Sequence, residues 1–325
     1  MKRLLPLLLS IALCLLAGCT HSSDTIRVYM PDGAPSIALA HTMHDDCIEG
    51  VEYHVVSPTT IVSTVSGGDP LADVCILPIN SAVKLLGEGD TYRLLGTVTH
   101  GNLYLLGYTD EVINLGNISS LIGERIGVLQ LNAVPGLTLK AILTDLSIPY
   151  NEVSVGSIDR PDSINLQNID ASMVGMLEGV NYYLLAEPAV SVKCSIPSLS
   201  LRVVGSLQDM YGENGYPQAV IVAKGSILSN HSSLSKVRQI VSGIDSGVEW
   251  AKQNTSLTAE AISSHLPDDY TPSIRANFLT PDTIDRCNVR YIPAERNSLN
   301  AFLTKLNFVS TTPWGYISED FIYSL

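Results

Sequence analysis

The chain has 325 residues, 46% of them hydrophobic and 16% charged, with 24 Gly and 17 Pro. That length suits two domains, each burying its own core, and the composition excludes a disordered chain, a collagen and a coiled coil. Lys and Arg number 19 against 32 Asp and Glu, a formal charge of -13, which sets aside sequence-independent binding to nucleic-acid phosphates.

In chain order, the first segment reads as a leader. Lys2 and Arg3 precede an apolar run of 14 residues, Leu4 to Ala17. The layout is that of an export signal, and the run is shorter than the roughly 20 apolar residues a membrane-spanning helix needs. Leu16-Ala17-Gly18-Cys19 resembles the bacterial lipobox, which implies a signal peptide over 1–18, lipidation at Cys19 and a polar tether over 19–25. The mature chain then has 17 basic and 32 acidic residues, a charge of -15. No later stretch is long and apolar enough to span a bilayer as a helix, so the expectation is a lipid-anchored body on the extracytoplasmic face of the cell membrane. Cys47, Cys75, Cys194 and Cys287 show no C-x-x-C spacing and no disulfide framework, and Cys75 reads as a buried thiol in an apolar strand.

The body then alternates strand and helix. Ile26 to Met30 has strand chemistry, Pro31-Asp32-Gly33-Ala34 breaks it, and Pro35 opens a predicted helix through Met43. A hundred residues on, Arg125 to Leu131 repeats the strand, Asn132-Ala133-Val134 the turn and Pro135 the helix start, with a helix predicted through Leu146. Ile76 to Val83 also aligns without gaps on Tyr183 to Val190, each a buried strand ending at a polar residue. Both pairs point to two similar halves with mainly parallel sheets, whose ligands bind beyond the carboxyl ends of the strands. Leu103 to Leu106 leads out of the first half and Gln218 to Val222 leads back, which makes a two-strand hinge. The predicted division is 26–105 with 218–325 as lobe 1 and 106–217 as lobe 2. Helical spacing of Leu234, Val237, Ile240, Val241, Ile244 and Val248 predicts a helix over Ser233 to Asn254 packed on the first half. Asn288 to Ile292 reads as a strand, Glu295 to Leu306 as a helix, and Thr311 to Leu325 as a loose aromatic tail.

Four stretches, in this order and spacing, resemble type II periplasmic binding proteins of the nitrate, sulfonate, taurine and thiamine-precursor group. They are Tyr29 to Pro35, Asp73 to Asn80, Leu95 to Tyr104 and Ala186-Glu187-Pro188, and Pro313-Trp314-Gly315-Tyr316 is similar to the family's closing tail. The departure is Ser157 to Ile169, rich in Asp, Pro and Asn where the family has a shorter link. The resemblance implies two α/β lobes closing on a small molecule, delivery to the permease of an ABC importer, no cofactor, no metal and a monomer. The strand-end positions carry it onto Asp32, Gly33, Ala34, Pro35, Asn80, Ser81, Asn102, Asn132, Ala133, Glu187, Tyr216 and Gln218 as ligand-binding residues.

Catalytic motifs are matched only in fragments. Ser81-Ala82-Val83-Lys84 fits S-x-x-K, but no S-D-N or K-T-G accompanies it, and no G-x-S-x-G, phosphate loop or H-E-x-x-H is present. His41, His44, Asp45 and Asp46 could make a metal cluster but sit at the far end of a helix whose start faces the cleft. The alternatives are a lipoprotein enzyme and a sensory or structural lipoprotein on the same fold. The cleft loops hold acids and amides without Arg or Lys, and Tyr182, Tyr183 and Tyr216 offer stacking faces. These features favour a thiamine-precursor-like heterocycle over a sulfonate or nitrate.

Overall fold

A computed structural model of the chain describes residues 25–45 and 48–325. The predicted leader, Cys19, all of the tether but Thr25, Asp46 and Cys47 lie outside the described residues.

The first sheet contains β1 (Ile26–Pro31), β2 (Val51–Val56), β3 (Val74–Pro78) and β4 (Tyr92–Thr99), joined late in the chain by β11 (Ala219–Lys224) and β12 (Val289–Pro293). Its order is β12-β4-β11-β3-β1-β2. The second sheet contains β5 (Leu103–Gly107), β6 (Arg125–Leu129), β7 (Tyr150–Val153), β8 (Ile164–Ile169), β9 (Tyr182–Ala186) and β10 (Arg202–Ser206), in the order β10-β5-β9-β6-β8-β7. The expected two-lobed α/β architecture is therefore present.

The two similar halves are visible as topology. β3-β1-β2 in one sheet and β9-β6-β8 in the other are parallel triplets, with β1 and β6 central. The sheets are mixed, however, and in the first one antiparallel pairs predominate. The cause is the hinge. β5 and β11 start at the lobe junction and run outward, whereas the triplet strands end there, so each pairs antiparallel with its neighbours. β12 adds a further antiparallel pair to β4.

Burial explains the elements. Ile26, Val28 and Met30 alternate inward along β1, and β3 is buried from Val74 to Leu77, the pattern of a strand covered on both faces. α1 (Ala34–Ile37) and α2 (Ala40–Asp45) divide what the sequence predicts as one helix. The Ser36 hydroxyl bonds the Gly33 carbonyl, and the Leu39 N–H bonds the Ser36 carbonyl three residues back, which tightens the chain into a turn. α3 (Ile79–Gly87) follows β3, α4 (Val134–Asp145) follows β6 and α5 (Ala189–Cys194) follows β9. α6 (Leu207–Tyr211) leads toward the return crossing, and α7 (Gly225–Leu228) follows β11. α8 (His231–Gln253) is the predicted long helix. It is capped by Asn230, whose side chain accepts the Ser233 N–H, and it buries Val237, Ile240, Val241, Ile244 and Val248 in the first lobe. α9 (Thr255–Ser264) and α10 (Pro281–Arg286) complete that face.

The Asp- and Asn-rich departure ends in β8 and is ordered by one side chain. Arg125 donates to Asp159 Oδ1, Gln167 Oε1 and the Ser157 carbonyl at 2.8, 2.9 and 2.6 Å.

The C-terminal helix α11 (Arg296–Val309) departs from expectation because it packs on α4 of the second lobe. Phe302 stacks on Tyr216 with centroids 5.2 Å apart and meets Tyr211 edge-on at 5.4 Å. One continuous core cluster consequently holds Leu77 and Leu86 of lobe 1, Ile126 and Leu137 of lobe 2, and Leu299, Phe302 and Leu306 of α11. The tail is fastened rather than loose: Asn300 exchanges two hydrogen bonds with Ile317, Asn307 brackets Trp314 and Gly315, and the Tyr323 N–H reaches the Leu94 carbonyl.

Candidate functional site

The carboxyl ends of the triplet strands from both lobes converge at the crossings. The Ile79 N–H, at the end of β3, donates to the Gln218 carbonyl at 3.0 Å. The Gln218 side chain accepts from the Asn102 N–H at 3.0 Å and donates to Asn102 Oδ1 at 2.7 Å. Asn102 in turn exchanges two bonds with the backbone of Glu187 at the end of β9, at 3.0 and 3.1 Å. Asn102 and Gln218 are thus spent on each other and on the hinge.

Glu187 is equally engaged. Its side chain is fully buried; Oε1 accepts from Arg286 Nε at 2.6 Å and from the Ser191 hydroxyl at 3.0 Å, and Oε2 accepts the Ser191 N–H at 3.1 Å. Arg286 also reaches the Ser191 hydroxyl, which bonds Thr283. This cluster joins α5 of one lobe to α10 of the other. No local pattern marks Arg286 as Glu187's partner, because 99 residues separate them. Tyr216 is buried under Phe302 and Tyr211.

Asp32 lies at the end of β1. It is 4% exposed, Oδ2 accepts the Ser273 N–H at 2.6 Å, and burial raises its pKa against the opposing bonds from Ser273. Gly33 has φ 131°, a conformation that favours glycine, and delivers Ala34 and Pro35 into α1. On the other lobe, the Asn132 Oδ1 accepts from Lys140 at 3.1 Å, which leaves its amide N–H₂ as the available group, and Lys140 also pairs with Glu152 at 2.6 Å. Gly136 follows Ala133 in α4; a Cβ there would stand 2.1 Å from the Leu131 carbonyl oxygen, so only glycine admits the close approach of turn and helix.

α3 and α4 both begin without a side-chain cap. First-turn N–H groups lack intrahelical acceptors and carry the positive end of the helix dipole, so each lobe presents hydrogen-bond donors beside Asn80 and Asn132. Asn80 and Ser81 are half-buried, make no side-chain hydrogen bond among the described residues, and line a cavity of about 560 Å³. Val62, Leu85 and Trp314 give that cavity apolar walls, and Lys84 stands at its rim, 3.9 Å from Glu88. Trp314 is the contribution of the C-terminal tail, whose seat against α3 has no local sequence signal. The volume is that of a small-ligand site. Among the described residues no three His, Cys, Asp or Glu come together as metal ligands.

No protein-family model matches the chain, and no curated protein matches it significantly. Solved structures do. An ABC transporter protein of Parabacteroides distasonis aligns over 93% of this chain and 99% of its own, with a TM-score of 0.68 and 20% identity. The periplasmic aliphatic sulphonate binding protein SsuA of Escherichia coli aligns over 93% and 92%, with a TM-score of 0.64 and 10% identity. The ligand-binding component of an ABC-type import system of Staphylococcus aureus, solved with zinc bound, aligns over 93% and 97% at 0.59 and 12%. What these similarities establish is architecture, and the chain has the two-lobed type II periplasmic-binding-protein fold.

Proposed function

We propose that the protein is an extracytoplasmic solute-binding lipoprotein that encloses a small molecule between its lobes and hands it to the permease of an ABC importer. The observation that carries this reading is the pair of uncapped helix starts, α3 and α4, one from each lobe, beside the unspent side chains of Asn80, Ser81 and Asn132. Such a site holds and orients; among these groups there is no paired nucleophile and base to break a bond. The acids that suggested a cationic or neutral heterocycle carry less weight once Glu187 is neutralised by Arg286 and Asp32 spends Oδ2 on the Ser273 N–H, which leaves its Oδ1 as the one buried acceptor of the pair without a hydrogen bond. Donors dominate what remains, and they favour a ligand that presents acceptor atoms to the helix starts and an apolar body to Trp314, such as an organic sulfonate or carboxylate. The sulphonate-binding function of SsuA, which shares the fold, supports the same choice. The lipid at Cys19 would keep the receptor at the membrane.

The test is mass spectrometry of small molecules released from the purified protein, followed by calorimetry with each compound found. An acidic organic compound that binds the parent and binds Asn80→Ala about 5- to 150-fold more weakly, the loss of one buried hydrogen bond of about 1–3 kcal/mol, is expected. A compound recovered chemically altered, or binding indifferent to Asn80, would contradict the reading.

A further inference from the structure

Lys140 is the single charged side chain among the buried residues of α4, and it is 1% exposed. A lysine this deep needs partners for its N–H groups. It has two: Nζ lies 2.6 Å from Glu152 Oε1 on β7 and 3.1 Å from Asn132 Oδ1 in the turn that opens α4. The Glu152 side chain is 45% exposed, so an apolar residue in place of Lys140 would strand no buried charge, and such exchanges are often neutral or stabilising. Fold stability by itself therefore gives little reason for an ammonium at this position.

The contact does fix a polarity. An ammonium has three N–H donors and no acceptor, whereas an asparagine offers an oxygen on one side and an N–H₂ on the other. Only the oxygen can face Lys140. Asn132 is exposed and makes no other side-chain hydrogen bond among the described residues, so its N–H₂ is turned outward as a donor. The turn itself is held without Lys140: the Leu131 N–H donates to Asn168 Oδ1 and the Ala133 N–H to the Gln130 carbonyl, each at 3.0 Å. Lys140 thus decides which side of the amide points out, not where the turn lies. The uncapped first turn of α4 beside it presents donors of the same sign.

We propose that Lys140 sets the sign of the ligand group read by lobe 2: by holding Asn132 as a donor, it selects an anionic oxygen acceptor over a neutral group that presents N–H. It is a positioning residue that acts through Asn132. This inference deepens the capture reading above and rests on it, since that reading places Asn132 against the ligand.

The test is a double-mutant cycle by calorimetry with two pairs of like-shaped probes, butane-1-sulfonate against butane-1-sulfonamide and pentanoate against pentanamide. The proteins are the parent, Lys140→Met, Asn132→Ala and the double variant, each verified as folded by thermal unfolding. The parent is expected to bind at least one acid about tenfold more tightly than its amide, the difference of one charge-assisted hydrogen bond. Lys140→Met frees the Asn132 amide to turn its oxygen outward and should lower that ratio about fivefold, whereas in the Asn132→Ala background it should leave the ratio within about twofold. Asn132→Asp, at an exposed position, decides the matter should Lys140→Met not fold. It keeps one oxygen on Lys140 and presents the other, so it should weaken the acid about fivefold more than Asn132→Ala does. An acid no tighter than its amide in the parent, a ratio that Lys140→Met leaves unchanged or lowers equally in both backgrounds, or an Asn132→Asp no worse than Asn132→Ala would overturn the inference alone. Failure of both acids to bind the parent would overturn the reading on which it rests.

Discussion

Glu187 and His100 show how much a single buried group can hold at the lobe junction. Glu187 binds Arg286 and Ser191 with both oxygens, so Glu187→Gln should lower stability by about 1.5–3 kcal/mol, the worth of a charge-assisted bond, measured by denaturant unfolding. A variant as stable as the parent would show that the pair contributes nothing to joining the lobes. His100 is buried, donates from Nε2–H to the Arg290 carbonyl at 3.2 Å, and has its pKa lowered from 6.5 to about 4 by burial and by the nearby charge of Arg290. The unfolded chain therefore takes up a proton that the native one refuses. The stability due to neutral His100 is full above pH 6.5 and is lost as pH falls toward 4, by an amount on the order of 3 kcal/mol. His100→Gln should flatten that part of the stability curve between pH 6.5 and 4; an unaltered slope would contradict the assignment.

Among the elements, the parallel triplets were legible in the sequence because a strand followed by Pro, Asn or Gly and then a helix leaves a local pattern, as at Tyr29 to Pro35 and again at Val128 to Pro135. The helix α8 was legible from its apolar spacing. The reversed pairing of β5 and β11 and the break between α1 and α2 were not, since they depend on direction at the hinge and on one serine hydroxyl. Nor was the seat of α11. Its apolar face predicts burial but not the partner, and the partner is 160 residues away in α4, where Lys305 pairs with Asp145 at 2.5 Å. For the same reason the sequence carries no sign that Arg286 sits beside Glu187 or Trp314 beside Asn80, whereas Asn80 and Ser81 stand out locally as the polar end of a buried strand. If α11 fastens the two lobes through Phe302, then Phe302→Ala, which removes a fully buried ring between Tyr211 and Tyr216, should cost about 3–5 kcal/mol, and the loss should appear in a single cooperative transition. Separate melting of two units, or a loss below 1 kcal/mol, would contradict a shared core.

At the scale of the whole molecule, two lobes meet at strand ends, with two crossings, a buried Glu187 and Arg286 pair and the α11 segment between them. A ligand that touches α3 in one lobe and α4 in the other binds the closed arrangement better than an open one, so it must shift the population toward closure. Capture without chemistry is the central claim. The measurement that bears on it most directly is small-angle scattering of the purified protein, stripped of bound compound and then titrated with the compound recovered from it. A radius of gyration that falls to a plateau on titration, with the compound recovered unchanged, is the predicted result; a constant radius at saturation, or recovery of a transformed compound, would contradict it.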